Sequence, residues 1–142
     1  MNPGQKAQTA RLHGNPCWLV ATGDGASFNL FLLHGGGEIA GDPWLLTLPA
    51  ERESPLCRDL DRWGECALHL IGGSRDEALA AALLGGALVP ERRRGYFVRS
   101  PLLPAFPLAL ECLVRERVDC LDRLLYIAEL AFPHAFSRKG RE

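Results

Sequence analysis

The sequence predicts a mainly β protein, with one antiparallel barrel and helices at its periphery. About six short apolar runs are separated by glycine, proline and aspartate turn signals, and only two segments carry helix-start signals. At 142 residues the chain has the length of one domain with one core. We therefore expect a single domain over residues 1–142, in which residues 1–14 are flexible or form an N-terminal arm.

The first part of the chain is predicted to contain a hairpin and a third strand. Residues 17–22 and 27–33 are apolar runs joined by Gly-Asp-Gly, which is a typical hairpin turn. Residues 34–43 are glycine-rich, and we expect a connection without regular structure. Residues 44–48 then form a strand that Pro49 should stop.

Two helices are predicted from their start and stop signals. Ser54 is a good N-cap, Pro55 suits the first helical position, and Gly64 ends the segment. In the second helix Ser74 and Glu77 have the spacing of a capping box, and a pair of glycines supplies the stop.

The remaining segments are two strand regions and one irregular stretch. Residues 66–72 are predicted to be a strand between the two helices, whereas residues 87–107 are rich in proline and carry no predicted element. Residues 109–118 and 123–130 each alternate between apolar and polar side chains, and a short turn separates them. This pattern predicts a second hairpin.

Composition excludes several classes of function. The 16 basic and 17 acidic residues give a net charge of -1, which argues against non-specific binding to nucleic acid. The longest apolar stretch, residues 78–89, is too short to span a bilayer, and the first residues lack the apolar core of a signal peptide. Five cysteines without a Cys-x-x-Cys pair are typical of reduced thiols in the cytoplasm, and the histidines show no metal-ligand spacing. We expect a cytoplasmic protein without nucleic acid, membrane or metal partners.

The start of the first helix is the main candidate for a binding site. Ser54 would cap a helix whose first amides are unpaired, and Arg52, in an extended segment, would project to the same side. A phosphate group there would contact a hydroxyl, exposed N–H groups and a guanidinium. The alternative is an ordinary N-cap beside a surface arginine, and the flanking Glu51 and Glu53 weaken the positive field.

Other candidates are weaker. His69 alternates within an apolar strand and is predicted to be a packed, hydrogen-bonded core residue, whereas His34 opens the glycine-rich segment and remains a candidate. The arginine run 92–94 could hold a nucleotide phosphate, but we interpret it as a solvated surface. No catalytic residue can be named, because catalytic triads are defined by geometry and not by position.

Several motifs occur in an order known from one family. Asn29 opens a strand, Asp42 and Pro43 precede the next strand, and Arg52 and Ser54 stand before a helix. A proline-rich segment then precedes a Glu-Cys strand and a closing hairpin. Over residues 16–130 this order resembles the flavin reductase-like family of FMN-binding split barrels, including flavoredoxin-like sequences.

The resemblance implies a split barrel that forms a homodimer and holds FMN near the dimer interface. The flavin would be reduced by NAD(P)H or by another electron donor. By the same resemblance Arg52 and Ser54 would bind the phosphate. Asn29 and its strand would line the isoalloxazine ring, and His34 or Arg123 would supply polarity near it.

The chain also departs from the family pattern. Leu32, Glu38 and Gly41 stand where the family commonly has threonine or serine, and Arg123 stands where relatives place a histidine near the flavin and nicotinamide. We therefore expect NAD(P)H-driven reduction of the flavin to be slow or absent. Two further hypotheses stay open: a non-catalytic module that binds flavin or another ligand, and a flavin-free scaffold whose barrel serves dimerisation.

Overall fold

The computed structural model describes residues 16–136, which form seven antiparallel strands and two helices. The elements in chain order are β1 (Cys17–Gly23), β2 (Phe28–His34), β3 (Gly37–Gly41), β4 (Trp44–Glu51), α1 (Pro55–Trp63), β5 (Glu65–Leu70), α2 (Ser74–Leu84), β6 (Leu108–Cys120) and β7 (Arg123–Ala135). The strands lie in the order β2-β1-β5-β6-β7-β4-β3. Because β2 also approaches β4, the sheet rolls into a split barrel. The predicted fold class is confirmed.

The first hairpin is confirmed, and Cys17 lies opposite His34 at its open end. The glycine-rich segment differs from the prediction, because Gly37–Gly41 forms β3 and pairs with β4. A Cβ atom at Gly36 would overlap the carbonyl oxygen of Thr47, so glycine lets the short connection lie directly against β4. The predicted N-terminal arm lies outside the described residues.

Strand β4 continues through Pro49 to Glu51, so the expectation that this proline stops the strand is wrong. Pro49 lies opposite Leu125 of β7, whereas β3 pairs with β4 only as far as Thr47. Within residues 16–136, one edge of β4 has no strand partner beyond Thr47, and proline is tolerated at such an edge.

Helix α1 begins and ends where the sequence predicts. The Oγ atom of Ser54 accepts a hydrogen bond from the backbone N–H of Cys57 at 3.1 Å, and Pro55 occupies the first helical position. Gly64 adopts the left-handed conformation with φ of 67° and donates its N–H to the carbonyl of Leu60.

Helix α2 covers the predicted segment, but the expected capping box is absent. Its N-cap is Gly73, so Ser74 lies one position too late to cap the helix, and the N-cap makes no side-chain hydrogen bond. Instead the carboxylate of Asp76 accepts the N–H of Gly72 at 3.1 Å, which ties the preceding turn to the helix. Among residues 16–136, neither helix has the length and apolar character needed to cross a bilayer.

The closing hairpin is longer than predicted. β6 and β7 each have 13 residues, and the turn between them consists of Leu121 and Asp122. Residues 87–107 form no helix or strand, as expected, apart from one isolated bridge between Arg93 and Leu102.

The core fills the barrel and continues on the outer side of β1. Alternate residues of β1 serve opposite sides: Trp18 belongs to the interior cluster, and Leu19 packs with Ala80 and Leu83 of α2. All six residues of β5 are buried. A strand buried on both faces is nearly continuously apolar, which explains why β1 and β5 are easily identified in the sequence.

His69 is the packed core histidine that the sequence predicts. Its side chain is fully buried, Nδ1 lies 3.0 Å from the carbonyl oxygen of Leu19, and Nε2 accepts the N–H of Leu103 at 2.9 Å. These partners select the tautomer that carries its proton on Nδ1. Burial lowers the pKa of His69 to about 4, so the ring is neutral at pH 7.

This buried ring predicts a loss of stability in mild acid. The pKa of His69 falls from 6.5 in the unfolded chain to about 4 in the fold, so between these values the unfolded state binds the proton more strongly. The contribution of His69 to the free energy of unfolding should therefore drop by roughly 3 kcal/mol between about pH 7 and pH 4. Urea unfolding of the wild type and the His69→Gln variant across this window measures the effect. The stability difference between the two proteins should narrow as the pH falls, and a constant difference would contradict the prediction.

Candidate functional site

One cleft brings together three of the residues that the sequence singles out. His34 at the end of β2, Arg52 just after β4 and Arg123 at the start of β7 line a space of about 480 Å³. The other lining residues are Pro49, Ala50, Glu51 and Asp122. We call this space the anion cleft.

Strand pairing and one tight turn position the two arginines of the anion cleft. Glu51 at the end of β4 lies opposite Arg123, so the residue after Glu51 is carried to the same end of the sheet. There the guanidinium of Arg52 donates hydrogen bonds to the carboxylate of Asp119 and, at 2.9 Å, to the carbonyl oxygen of Cys120. Arg52 is therefore held against the β6–β7 turn.

Carboxylates partly neutralise the anion cleft. Arg52 pairs with Asp119, and Nη2 of Arg123 lies 3.3 Å from a carboxylate oxygen of Asp122, a contact that lowers the pKa of Asp122. All four side chains are at least 40% exposed, so water screens both pairs and each contributes little to stability. An anion that contacts both guanidinium groups thus competes only with weak surface pairs.

The segment between β4 and α1 is a turn, so the expectation of an extended segment at Arg52 is wrong. Glu53 has a φ of 60°, and the N–H of Ser54 donates to the carbonyl of Glu51 at 3.2 Å. Arg52 consequently faces the β6–β7 turn, while Ser54 bonds an amide of its own helix. Ser54 is not among the residues that line the anion cleft. No local signal identifies this turn, because glutamate rarely adopts a positive φ.

Asn29 lies outside the anion cleft. Its side-chain amide donates to the Asp59 carboxylate at 2.8 Å, and the hydroxyl of Thr22 donates to the same oxygen at 2.7 Å. These two bonds fasten α1 to the first hairpin. The placing of Asn29 beside a flavin ring stays a prediction.

A smaller, mostly apolar cleft of about 280 Å³ shares His34 with the anion cleft. Leu32 of β2 lines it and is 44% exposed. Ile71 and the α2 residues Ala80, Ala81 and Leu84 form most of the remaining wall, together with Cys17 and Glu77. We call it the apolar cleft. Its lining is suited to an uncharged ring system, and His34 forms the border to the charged region.

A buried tyrosine of β7 connects α1 to the barrel. The hydroxyl of Tyr126 donates to a carboxylate oxygen of Asp61 at 2.8 Å and lies 3.1 Å from Sγ of Cys57. Burial raises the pKa of Tyr126 well above its usual value. This contact was not predicted from the sequence, although a tyrosine in an apolar strand signals that its hydroxyl needs a partner.

A third cleft, of about 550 Å³, lies at the opposite end of the first hairpin. The arginines 92–94 line it together with Arg99 and Asp24. These three arginines are exposed, as predicted, but the fold gathers them around one concave space. We call it the arginine cleft. Within the described range 16–136, no group of three potential ligand side chains could hold a metal ion.

Comparison with known proteins reveals similarity at the level of fold. No protein-family model and no curated protein matches the chain. The NADH:FAD oxidoreductase of Streptomyces globisporus superposes with a TM-score of 0.74 at 14% identity, covering 96% of this chain and 81% of that one. The flavoredoxin of Methanosarcina acetivorans superposes with a TM-score of 0.73 at 17% identity, and the match covers 87% of this chain and 70% of the flavoredoxin. The styrene monooxygenase flavin reductase of Pseudomonas putida superposes with a TM-score of 0.72 at 16% identity, and the match covers 91% of this chain and 84% of the reductase. The chain has the flavin reductase-like split-barrel fold.

Proposed function

We propose that this protein is a flavin reductase-like flavoprotein that binds FMN, with the phosphate in the anion cleft and the flavin ring in the apolar cleft. The observation that carries the proposal is the meeting of His34, Arg52 and Arg123 in one cleft that borders an apolar one. The fold likeness to structures named as flavin reductases and flavoredoxins supports a flavin as the ligand.

The donor groups of the anion cleft suit a phosphate monoester. Arg52 presents a forked set of N–H donors that matches phosphate oxygens, and Arg123 and the imidazole of His34 add further polar groups to the same cleft. At about 480 Å³ the anion cleft falls within the usual range of small-molecule sites, about 300–1,000 Å³. The charges and the size of the cleft therefore both fit the phosphate end of FMN.

A bound flavin supplies reversible hydride and electron transfer at its ring. The chain's own residues bind and orient: Arg52 holds the phosphate, and Arg123 and His34 supply polar groups toward the flavin ring. Leu32 and the alanines of α2 exclude water from the ring. We propose NAD(P)H as the electron donor, which is supported by the structural neighbour named an NADH:FAD oxidoreductase.

A second candidate function is a binding module of the same fold without turnover. The observation that favours it is the loss of polar groups: Leu32 exposes an apolar side chain to the apolar cleft, and Arg123 occupies the turn position of the family's histidine. Arginine remains protonated in proteins, so it cannot exchange a proton as an imidazole does. The rate of flavin reduction distinguishes the two candidates.

We further propose that the protein is a homodimer. Pro49 of β4, Leu125 of β7 and Val118 of β6 lie side by side across the sheet, on the side opposite the buried Leu124 and Tyr126. The helices pack mainly against β1, β2, β4 and β5, so neither covers β7 broadly. A second copy would cover this apolar row.

We propose the cytoplasm as the location, on the basis of the thiols. All five cysteines are free, and Cys66 and Cys112 lie directly opposite each other on β5 and β6 without a disulfide bond. Unbridged neighbouring thiols suit a reducing compartment.

Replacement of Arg52 tests the phosphate site. Arg52→Ala should weaken FMN binding about tenfold, because it removes a charge-assisted hydrogen bond at a partly exposed site. Asp119→Asn should strengthen FMN binding, because it removes the carboxylate that competes for Arg52. Quenching of flavin fluorescence measures both affinities.

The control for this experiment is Arg62→Ala, which removes an equal charge from the last turn of α1, outside the anion cleft. Equal FMN affinities for Arg52→Ala and the wild type would contradict the placing of the phosphate.

Replacement of Arg123 tests the basis of slow turnover. We expect the wild type to reduce bound FMN with NAD(P)H slowly or not at all, and Arg123→His to raise the first-order rate. Anaerobic stopped-flow absorbance at saturating FMN isolates the rate from any change in affinity. Rapid reduction by the wild type would show that the missing histidine does not limit the reaction.

Replacement of Val118 tests the dimer. Light scattering at micromolar concentration should give twice the 15.6 kDa mass of one chain, and Val118→Glu should shift the mass toward the monomer. Leu121→Glu is the matched control, because Leu121 is fully exposed in the β6–β7 turn. A wild-type mass near that of one chain would refute the dimer.

A further inference from the structure

The arginine cleft lies far from the anion cleft. Asp24 and Gly25, which line the arginine cleft, belong to the β1–β2 turn, whereas His34 lies at the other end of β2. At about 3.3 Å per residue, a seven-residue strand separates these ends by roughly 20 Å. A ligand in the arginine cleft would therefore be separate from a flavin bound as proposed above.

Buried acceptors hold the loop that forms this cleft. One carboxylate oxygen of Glu111 accepts the N–H groups of Phe97 at 2.8 Å and Val98 at 3.0 Å, and the other is 2.7 Å from Nε2 of His134. A Cβ atom at Gly95 would overlap this carboxylate, so glycine is needed for the close approach. Burial raises the pKa of Glu111, but the hydrogen bonds from His134 and the loop amides outweigh it and lower the pKa overall. The loop is thus ordered before any ligand binds, which reduces the entropy lost on binding.

The cleft has an excess of positive charge. Four guanidinium groups, those of arginines 92–94 and of Arg99, line it with a single carboxylate, that of Asp24. Within residues 16–136 the Arg94 side chain has no hydrogen-bond or ion-pair partner. The guanidinium of Arg93 lies 3.8 Å from a carboxylate oxygen of Glu91 and 5.6 Å from the ring centre of Phe136. The guanidinium of Arg99 forms an ion pair with the carboxylate of Glu65 at 3.1 Å. Arg94 is the guanidinium most available to an anion.

Two aromatic rings border the same space. Tyr96 is 73% exposed and Phe97 is 59% exposed, which is unusual for side chains of this size. Tyr96 packs edge-on against Phe132 at 4.9 Å and stacks with His134 at 5.5 Å, so its ring has a defined position. Exposed aromatic faces beside guanidinium groups suit a ligand that combines a planar ring with phosphate groups.

We propose that the arginine cleft binds a nucleoside diphosphate, with its phosphates on Arg94 and Arg92 and its base against Tyr96. The volume of about 550 Å³ suits one small ligand better than a polymer, and the net charge of -1 disfavours extended nucleic acid. Asp24 is available to accept a hydrogen bond from a ribose hydroxyl. Its pKa is lowered by hydrogen bonds from the backbone amides of Ser27 and Ala26, so it is ionised at neutral pH.

Calorimetric titration with ADP tests this proposal. The wild type should bind ADP, and Arg94→Gln should weaken binding about tenfold, because a charge-assisted contact to phosphate is lost. Arg94 is exposed and without a partner in the described residues, so its replacement should leave the thermal unfolding temperature unchanged. Arg115→Gln is the control: it removes an equal charge from β6, outside the cleft, and should leave ADP affinity unchanged.

Three further measurements complete the test. Inorganic pyrophosphate should bind at least tenfold more weakly than ADP because it lacks the ring, and adenosine should bind more weakly because it lacks the charge. Arg52→Ala should leave ADP affinity unchanged. The proposal is overturned if ADP does not bind, if Arg94→Gln and Arg115→Gln weaken binding equally, if pyrophosphate matches ADP, or if Arg52→Ala abolishes binding. Loss of FMN binding alone would leave it standing, because the two clefts are separate.

Discussion

The pairing of β7 with β6 on one side and with β4 on the other is the contact on which the barrel and the anion cleft both depend. It places Arg123 opposite Glu51 and also opposite Cys120, so the end of β4 and the β6–β7 turn meet at one point. Arg52 bonds this turn, although it lies far from it in the chain. A shift of one residue in the register would turn Tyr126 and its neighbours from the core to the outer face and would separate the residues of the cleft.

Buried polar side chains on the central strands hold the irregular segment that follows α2. His69 of β5 accepts the amide of Leu103, and Glu111 of β6 accepts those of Phe97 and Val98. Backbone amides inside a protein require partners, and here side chains provide the partners that strand pairing does not. This requirement explains why a histidine and a glutamate lie in strands that are otherwise apolar. Removing either acceptor would leave buried N–H groups unpaired, at about 1–3 kcal/mol each.

The two charged clefts differ in how their arginines are neutralised. In the anion cleft Arg52 and Arg123 each contact a carboxylate of the same turn, so a ligand must compete with Asp119 and Asp122. In the arginine cleft the contacts are with aromatic rings as much as with acids: Arg92 lies over Phe28 at 5.0 Å. A guanidinium that lies over an aromatic ring keeps its positive charge available to a phosphate, whereas a carboxylate in a salt bridge partly neutralises that charge.

Local chemistry explains what the sequence by itself determined. The hairpin turns, the apolar runs of β1 and β5, the Ser54 cap of α1 and the buried His69 were all predicted, because each depends on neighbouring residues or on the alternation of a strand. Free cysteines were likewise predicted from composition, and all five are free in the structure. Of the five residues that the resemblance nominated, the fold brings Arg52, His34 and Arg123 into one cleft, whereas Ser54 and Asn29 lie outside it.

Only the tertiary structure decided the features that depend on distant partners. Gly37–Gly41 became a strand because β4 offers it a free edge, and β4 passes through Pro49 because β3 ends before it. The direction of Arg52 depends on the positive φ of Glu53 and on a turn late in the chain. The arginine cleft exists because the β1–β2 turn closes one side of the loop. Pairing register and cleft shape arise between segments far apart in the chain, so no pattern within a single segment encodes them.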